Sequence, residues 1–166
     1  MTTLTAIGEL DVSIRYTDRP TVKVVLRRDD KILLLNEGLL PGGGVDPGET
    51  NLGAITRELK EELGATVKGV QEIGTVVQYR NLLAKRYLVN GYSATLDSIG
   101  NDTDPQDDGE AAFSIKWMTP EDAMRYVSES IKKTHLKRMD NDANQGKLYN
   151  LMTTREFLGR MGRCLD

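Results

Sequence analysis

The chain has 166 residues, 39% of them hydrophobic and 28% charged, which suits one globular domain burying about 70% of its unfolded surface. A net charge of −3 speaks against nucleic acid as a general partner, so binding of phosphates would need local cations or metal ions. Cys164 is the one cysteine, which excludes an internal disulfide and a cysteine-built metal cluster. The opening residues (MTTLTAIGEL) lack the pattern of a signal peptide and no apolar run reaches membrane-spanning length, so a cytoplasmic protein without a membrane partner is expected.

Residues 21–28 (TVKVVLRR) and 31–36 (KILLLN) are short, β-branched or leucine-rich, and parted by Asp29-Asp30, which predicts a hairpin. A glycine-rich stretch, PGGGVDPGET, follows from Pro41. Residues 50–63 then carry Leu52, Ile55, Leu59 and Leu63 at helical spacing, with Thr50 as N-cap and Gly64 as the stop. Residues 66–80 and 84–96 read as two longer strands around Asn81. The acidic stretch 97–109 (DSIGNDTDPQDDG) reads as a loop, and 111–118 as a further strand ending near Trp117. Thr119-Pro120 starts a helix by capping logic. From Ile131 onward a polar-rich helical segment is expected, broken at 141–146, with Leu148, Leu151, Leu158 and Met161 as the stripe of the last helix. The elements make one mixed α/β domain. Residues 1–20 stand as an N-terminal extension, and about 131–166 as a C-terminal helical segment.

Three consecutive glycines, Gly42 to Gly44, suggest that something approaches the main chain closely. The helix behind them offers a reason. Glu58, Glu61 and Glu62 are related as i, i+3 and i+4, so they share an arc of about 100° beside the apolar stripe. Like charges at these spacings cost a few tenths of a kcal/mol per pair on a bare helix. Three hard oxygen ligands in one place suit Mg²⁺ or Mn²⁺. A solvated charged face, compensated by Arg57 and Lys60, is the competing reading of the helix alone. A P-loop is excluded, because no Gly-Lys-Ser/Thr follows the glycines.

Loop and helix together run glycine (Gly43), five residues, Glu49, seven residues, then Arg57-Glu58-Leu59-Lys60-Glu61-Glu62-Leu63-Gly64 and Ala65. This resembles the complete signature of the Nudix hydrolases, GX5EX7REUXEEXGU. At average residue usage its seven fixed identities would arise by chance at about one position in 10⁸. Ala65 departs mildly from the bulkier aliphatic residue usual there. With the strand–loop–helix order and Trp117 ending a late strand, the resemblance spans roughly residues 21–127.

The resemblance implies an α/β/α sandwich around a mixed sheet, a single domain, and Mg²⁺-dependent attack of water on a nucleoside diphosphate linked to another moiety. Mn²⁺ is the natural substitute ion. It also implies that Glu58, Glu61 and Glu62 are metal ligands, with the Gly42 carbonyl as a further one, and that Glu61 and Glu62 belong to the catalytic set. Gly43 and Gly44 would let the backbone turn under the phosphates. Glu49, Arg57 and Gly64 read as structural, with Glu49 the natural bidentate partner of Arg57. A general base often follows the signature at a distance, and Glu110 is the candidate here, with Asp107 and Asp108 as competitors. Arg28, Arg80 and Arg86 are the candidate substrate contacts.

The substrate class stays broad. The proline that ADP-sugar enzymes of the family carry downstream is replaced here by Arg80 and Asn81, and Tyr79 and Tyr87 stand early and late of the tyrosine of diadenosine-polyphosphate enzymes. A nucleoside triphosphate or a nucleotide-sugar is the leading expectation. An RNA 5′-end pyrophosphohydrolase, hinted at by the basic 132–138 stretch, and a non-catalytic nucleotide-binding module are the alternatives. A homodimer is compatible with this reading.

Overall fold

The computed structural model describes residues 4–100 and 114–163. Among the described residues seven strands form one sheet: β1 (Leu4–Ile7), β2 (Thr17–Arg28), β3 (Lys31–Leu35), β4 (Gly42–Gly44), β5 (Ala65–Arg80), β6 (Lys85–Ile99) and β7 (Ile115–Met118). Three helices accompany them: α1 (Asn51–Leu63), α2 (Pro120–His135) and α3 (Asp142–Arg163). The strand order is β1-β5-β6-β2-β3-β7, with β4 pairing β2 off this path. β1/β5 and β2/β6 are parallel, whereas β5/β6, β2/β3, β3/β7 and β2/β4 are antiparallel, so the sheet is mixed.

Each face of the sheet is apolar and covered by helix. On one side Val22, Val24, Leu26, Leu33 and Leu35 pack against Ile55, Leu59 and Leu63 of α1. On the other, Val25, Ile32, Leu34, Val76 and Val89 pack against Val127 and Ile131 of α2 and Leu151, Phe157 and Leu158 of α3. The alternation along β2 assigns its residues to two opposite cores. The result is the α/β/α sandwich expected.

Local chemistry sets the element ends. Gly53 donates its N–H to Thr50 Oγ1 at 3.0 Å, and Gly64 is left-handed at φ 59° with its N–H on Lys60 O. Asp122 donates to Thr119 Oγ1, and Pro120 stands in the first turn of α2. Asn51 Nδ2 donates to Tyr92 Oη at 2.8 Å, tying the start of α1 to β6.

Several expectations need correction. Leu52 was assigned to the apolar stripe of α1 but is 58% exposed; Ala54 takes its place in the core. The break expected at 141–146 lies earlier, between His135 and Asp142, and Gly146 is inside α3. Asn141 Oδ1 accepts the Asn144 N–H there, acting as a cap and not as a breaker. Gly146 is a glycine because a Cβ at that position would overlap the Arg80 guanidinium. Two stretches carry strand where none was expected: β2 begins at Thr17, and Leu4–Ile7 joins β5 as a parallel edge strand.

Candidate active site

The site is assembled by a strand pairing that lies far apart in sequence. β4 lies antiparallel on β2 in the register Thr21↔Gly44, Val22↔Gly43 and Lys23↔Gly42. This fixes the glycines on the sheet while the loop after them turns into α1. Gly42 has φ 134°, and a Cβ there would collide with the Val22 carbonyl, so only glycine fits. At Gly43 the side-chain space is taken by another group: a Cβ there would overlap the Glu58 carboxylate, which would have to shift. The glycine strand is therefore where the glutamate helix meets the sheet.

Burial of Ile55, Leu59 and Leu63, each contributing about 1.5–3 kcal/mol, outweighs the repulsion of about 0.2–0.5 kcal/mol per like-charge pair on α1. The helix can thus hold its glutamates together. Glu58 is mostly buried against Gly43, Glu62 is half-buried, and Glu61 is exposed. The Gly42 N–H donates to Glu62 Oε1 at 3.4 Å. Burial, with the Glu58 carboxylate adding to it and Lys23 opposing it, holds the Glu62 carboxyl up at about 7. Among the described residues no three acidic, histidine or cysteine side chains close into a metal cage. What the fold presents is an open set of carboxylates beside a carbonyl strand.

Arg57 organises that set. Its Nε and Nη2 donate to Glu49 Oε2 and Oε1 at 3.0 and 2.9 Å, Nη2 also to the Gly44 carbonyl at 2.8 Å, and Nη1 to Glu58 Oε1 at 2.8 Å. Glu61 Oε2 lies 3.5 Å from Nη1. Glu49 Oε1 in turn accepts the Asp46 N–H at 3.1 Å. The hydrogen bonds from Arg57 hold the Glu49 carboxyl below the usual range, and the same bonds hold the Arg57 guanidinium charged.

The candidate substrate arginines are not gathered here. Arg28 is exposed at the far end of β2, its guanidinium 4.1 Å over the Trp117 ring. Arg86 makes a bidentate pair with Asp18 at 2.7 and 2.9 Å. Arg80 is 6% exposed, bonded to Asp142 at 2.7 Å and stacked on Tyr87, so its guanidinium serves the packing of α3. Glu110, Asp107 and Asp108 lie outside the described residues.

Two cations that the sequence reading passed over do reach the glycine strand. Arg19 Nη2 stands 3.8 Å from where a Gly44 Cβ would be. Lys23 Nζ donates to the Leu40 and Gly42 carbonyls at 3.1 and 3.3 Å. Burial pushes the Lys23 ammonium toward losing its proton, and Glu62 and Glu58 oppose that. The available signal was a lysine in phase with Val25, inside the otherwise apolar stretch from Val22 to Leu26.

The NUDIX domain model matches residues 17–139. A MutT NUDIX hydrolase from Burkholderia pseudomallei is similar in structure, with a TM-score of 0.53 at 20% identity over 81% of this chain and 98% of that one. A NUDIX hydrolase from Nitrosomonas europaea gives 0.55 at 21% identity over 84% and 91%. At such identities these structures speak for the fold. No curated protein matches the chain.

Proposed function

The chain belongs to the Nudix family, hydrolases of pyrophosphate bonds, and from that premise we propose that it is a Mg²⁺-dependent pyrophosphohydrolase of small nucleotides. The substrate is a nucleoside triphosphate or a nucleotide-sugar, and the reaction is attack of water on phosphorus. The observation that carries this reading is the seating of Glu58 on Gly43 and of Glu62 on the Gly42 N–H, with Arg57 locking both loop and helix.

Nudix hydrolases generally use divalent metals, and the donor set fits one. Carboxylates and a backbone carbonyl are hard oxygen ligands, and a protein cation, Lys23, is already drawn to the Gly42 oxygen. Glu58, Glu61, Glu62 and the Gly42 carbonyl would hold the ion. When bound, it supplies charge neutralisation at the diphosphate and a more acidic water. Mn²⁺ is the substitute expected from the same ligands.

The chain's own residues do the rest. Arg57 holds the loop and Glu58 in one geometry, so positioning does not have to be achieved during turnover. The backbone at Gly43 and Gly44 lies beneath the phosphates, with Arg19 beside Gly44 as a phosphate contact. Glu110 takes the proton of the attacking water. Arg28, which is exposed, is left for the base, the sugar or a distal phosphate, and Arg86 would join it only by leaving Asp18. Among the described residues no helix is long and apolar enough to cross a membrane, and a cytoplasmic setting belongs to this reading.

The test is a screen of nucleoside triphosphates and nucleotide-sugars with Mg²⁺ and with Mn²⁺, identifying both products. Release of a nucleoside monophosphate, dependent on the ion, supports the proposal. Tight nucleotide binding without turnover would favour a binding module instead.

A further inference from the structure

Lys23 is an unusual residue for its position. Its neighbours along β2 are Val22 and Val24, both fully buried, and its register partners on both flanking strands are glycines, Gly42 of β4 and Gly91 of β6. The Phe157 ring fills the space over Gly91, so the lysine side chain lies toward the β4 side. Its ammonium ends on two backbone carbonyls, Leu40 at 3.1 Å and Gly42 at 3.3 Å. Those carbonyls bracket Pro41, the point at which the chain enters the glycine strand. Glu62 and Glu58 both act on this ammonium electrostatically.

We propose that Lys23 is the built-in counter-cation of the site: it pins the entry to the glycine strand, offsets Glu58 and Glu62 before the ion arrives, and keeps the ion's affinity low in the absence of nucleotide. This rests on the metal-site reading given above and adds to it a residue and a regulation. An ion bonded to the Gly42 oxygen at about 2.1 Å has the ammonium within about 5.5 Å unless the lysine moves. At that separation a unit charge weakens the binding of a dication by about tenfold even in the dielectric of water, and by more inside a protein. If the lysine moves instead, its carbonyl contacts are lost, which also opposes binding. The phosphates of a nucleotide reverse the balance, because they add negative charge that both cations share. Ion and nucleotide are therefore taken up together.

The inference is tested by titrating Mn²⁺ into nucleotide-free protein and following free Mn²⁺ by electron paramagnetic resonance, for wild type, Lys23→Met, Lys23→Gln, Lys23→Arg and Glu62→Gln. Native near-ultraviolet circular dichroism serves as the check on folding. Lys23→Met and Lys23→Gln remove the charge, the second retaining an amide that can bond the carbonyls. We expect one or both to bind Mn²⁺ at least about tenfold more tightly than wild type, Lys23→Arg to stay near wild type, and added nucleotide to narrow the gap. A residue that merely shapes the loop would give the opposite sign. Neutral variants that are folded and bind Mn²⁺ at wild-type or weaker affinity overturn the role of Lys23. Wild type that, with nucleotide added, binds no more Mn²⁺ than Glu62→Gln at the same nucleotide concentration overturns the metal site, and with it this inference.

Discussion

Arg57 and Glu49 form a two-pronged pair, Nε to Oε2 at 3.0 Å and Nη2 to Oε1 at 2.9 Å, that joins the glycine loop to the helix eight residues further on. The same guanidinium reaches the Gly44 carbonyl and Glu58, so one side chain fixes strand, loop and helix. Arg57→Ala removes these bonds from a partly exposed network. A loss of about 1–2 kcal/mol is expected after allowing for solvent screening, read as a fall in melting temperature of about 2–8 °C. Turnover should fall as well. An unchanged melting temperature with weakened metal binding alone would remove the structural role.

Gly43→Ala places a methyl group where the Glu58 carboxylate sits. Either the glycine strand or Glu58 must shift by the order of an ångström, and misplacement of that size costs about 10²-fold in rate. Steady-state kinetics on a folded variant should show this mainly in kcat. Wild-type kinetics in Gly43→Ala would mean that the seating of Glu58 does not matter to the reaction.

Arg80→Ala should act on stability and not on substrate affinity. The guanidinium is buried, bonded to Asp142 in the first turn of α3 and stacked on Tyr87. Its loss leaves a space beside Gly146 and strips Asp142 of its partner, at about 1–3 kcal/mol. A clear rise in KM without a drop in melting temperature would return Arg80 to the substrate site.

Glu62 gives the metal-free protein a pH signature. Its carboxyl is held at about 7 when folded against an ordinary 4.5, chiefly by burial. Between these values the folded state keeps a proton that the unfolded state has released, so stability falls as pH rises through that window. Melting in EDTA should therefore decline from about pH 4.5 to about pH 7 more steeply for wild type than for Glu62→Gln. Parallel curves across the window contradict the assignment.

The parts of this molecule that were legible in the sequence are those written locally. Thr50, Gly64 and Thr119 cap their helices within a few residues, and the glycine–glutamate spacing of the signature lies within one loop and one helix. Leu52 was misplaced because the stripe of α1 could be phased through Ala54 as well, and only the sheet decides between them. The start of α3 was misjudged because Gly146 answers to Arg80, a residue 66 positions earlier. Lys23 and Arg19 escaped notice for the same reason. Their nearness to the glycines follows from the β2–β4 register, which no local pattern encodes. Arg80 and Arg86 were read as available charge, whereas Asp142 and Asp18 already hold them.

The central claim is hydrolysis of a diphosphate linkage by ion-assisted attack of water at the glutamate helix. Hydrolysis of nucleoside triphosphates and nucleotide-sugars in ¹⁸O-water, with Mg²⁺ and with excess EDTA, for wild type, Glu61→Gln and Glu62→Gln, tests it most directly. The account predicts a nucleoside monophosphate among the products and label on one of the two phosphates formed. It predicts modest discrimination among bases, about 10–200-fold if an apolar pocket alone selects them. Activity should be lost in EDTA and in folded Glu62→Gln. Turnover undiminished by EDTA, or hydrolysis of a phosphomonoester or carboxylic ester with every diphosphate linkage left whole, would contradict it.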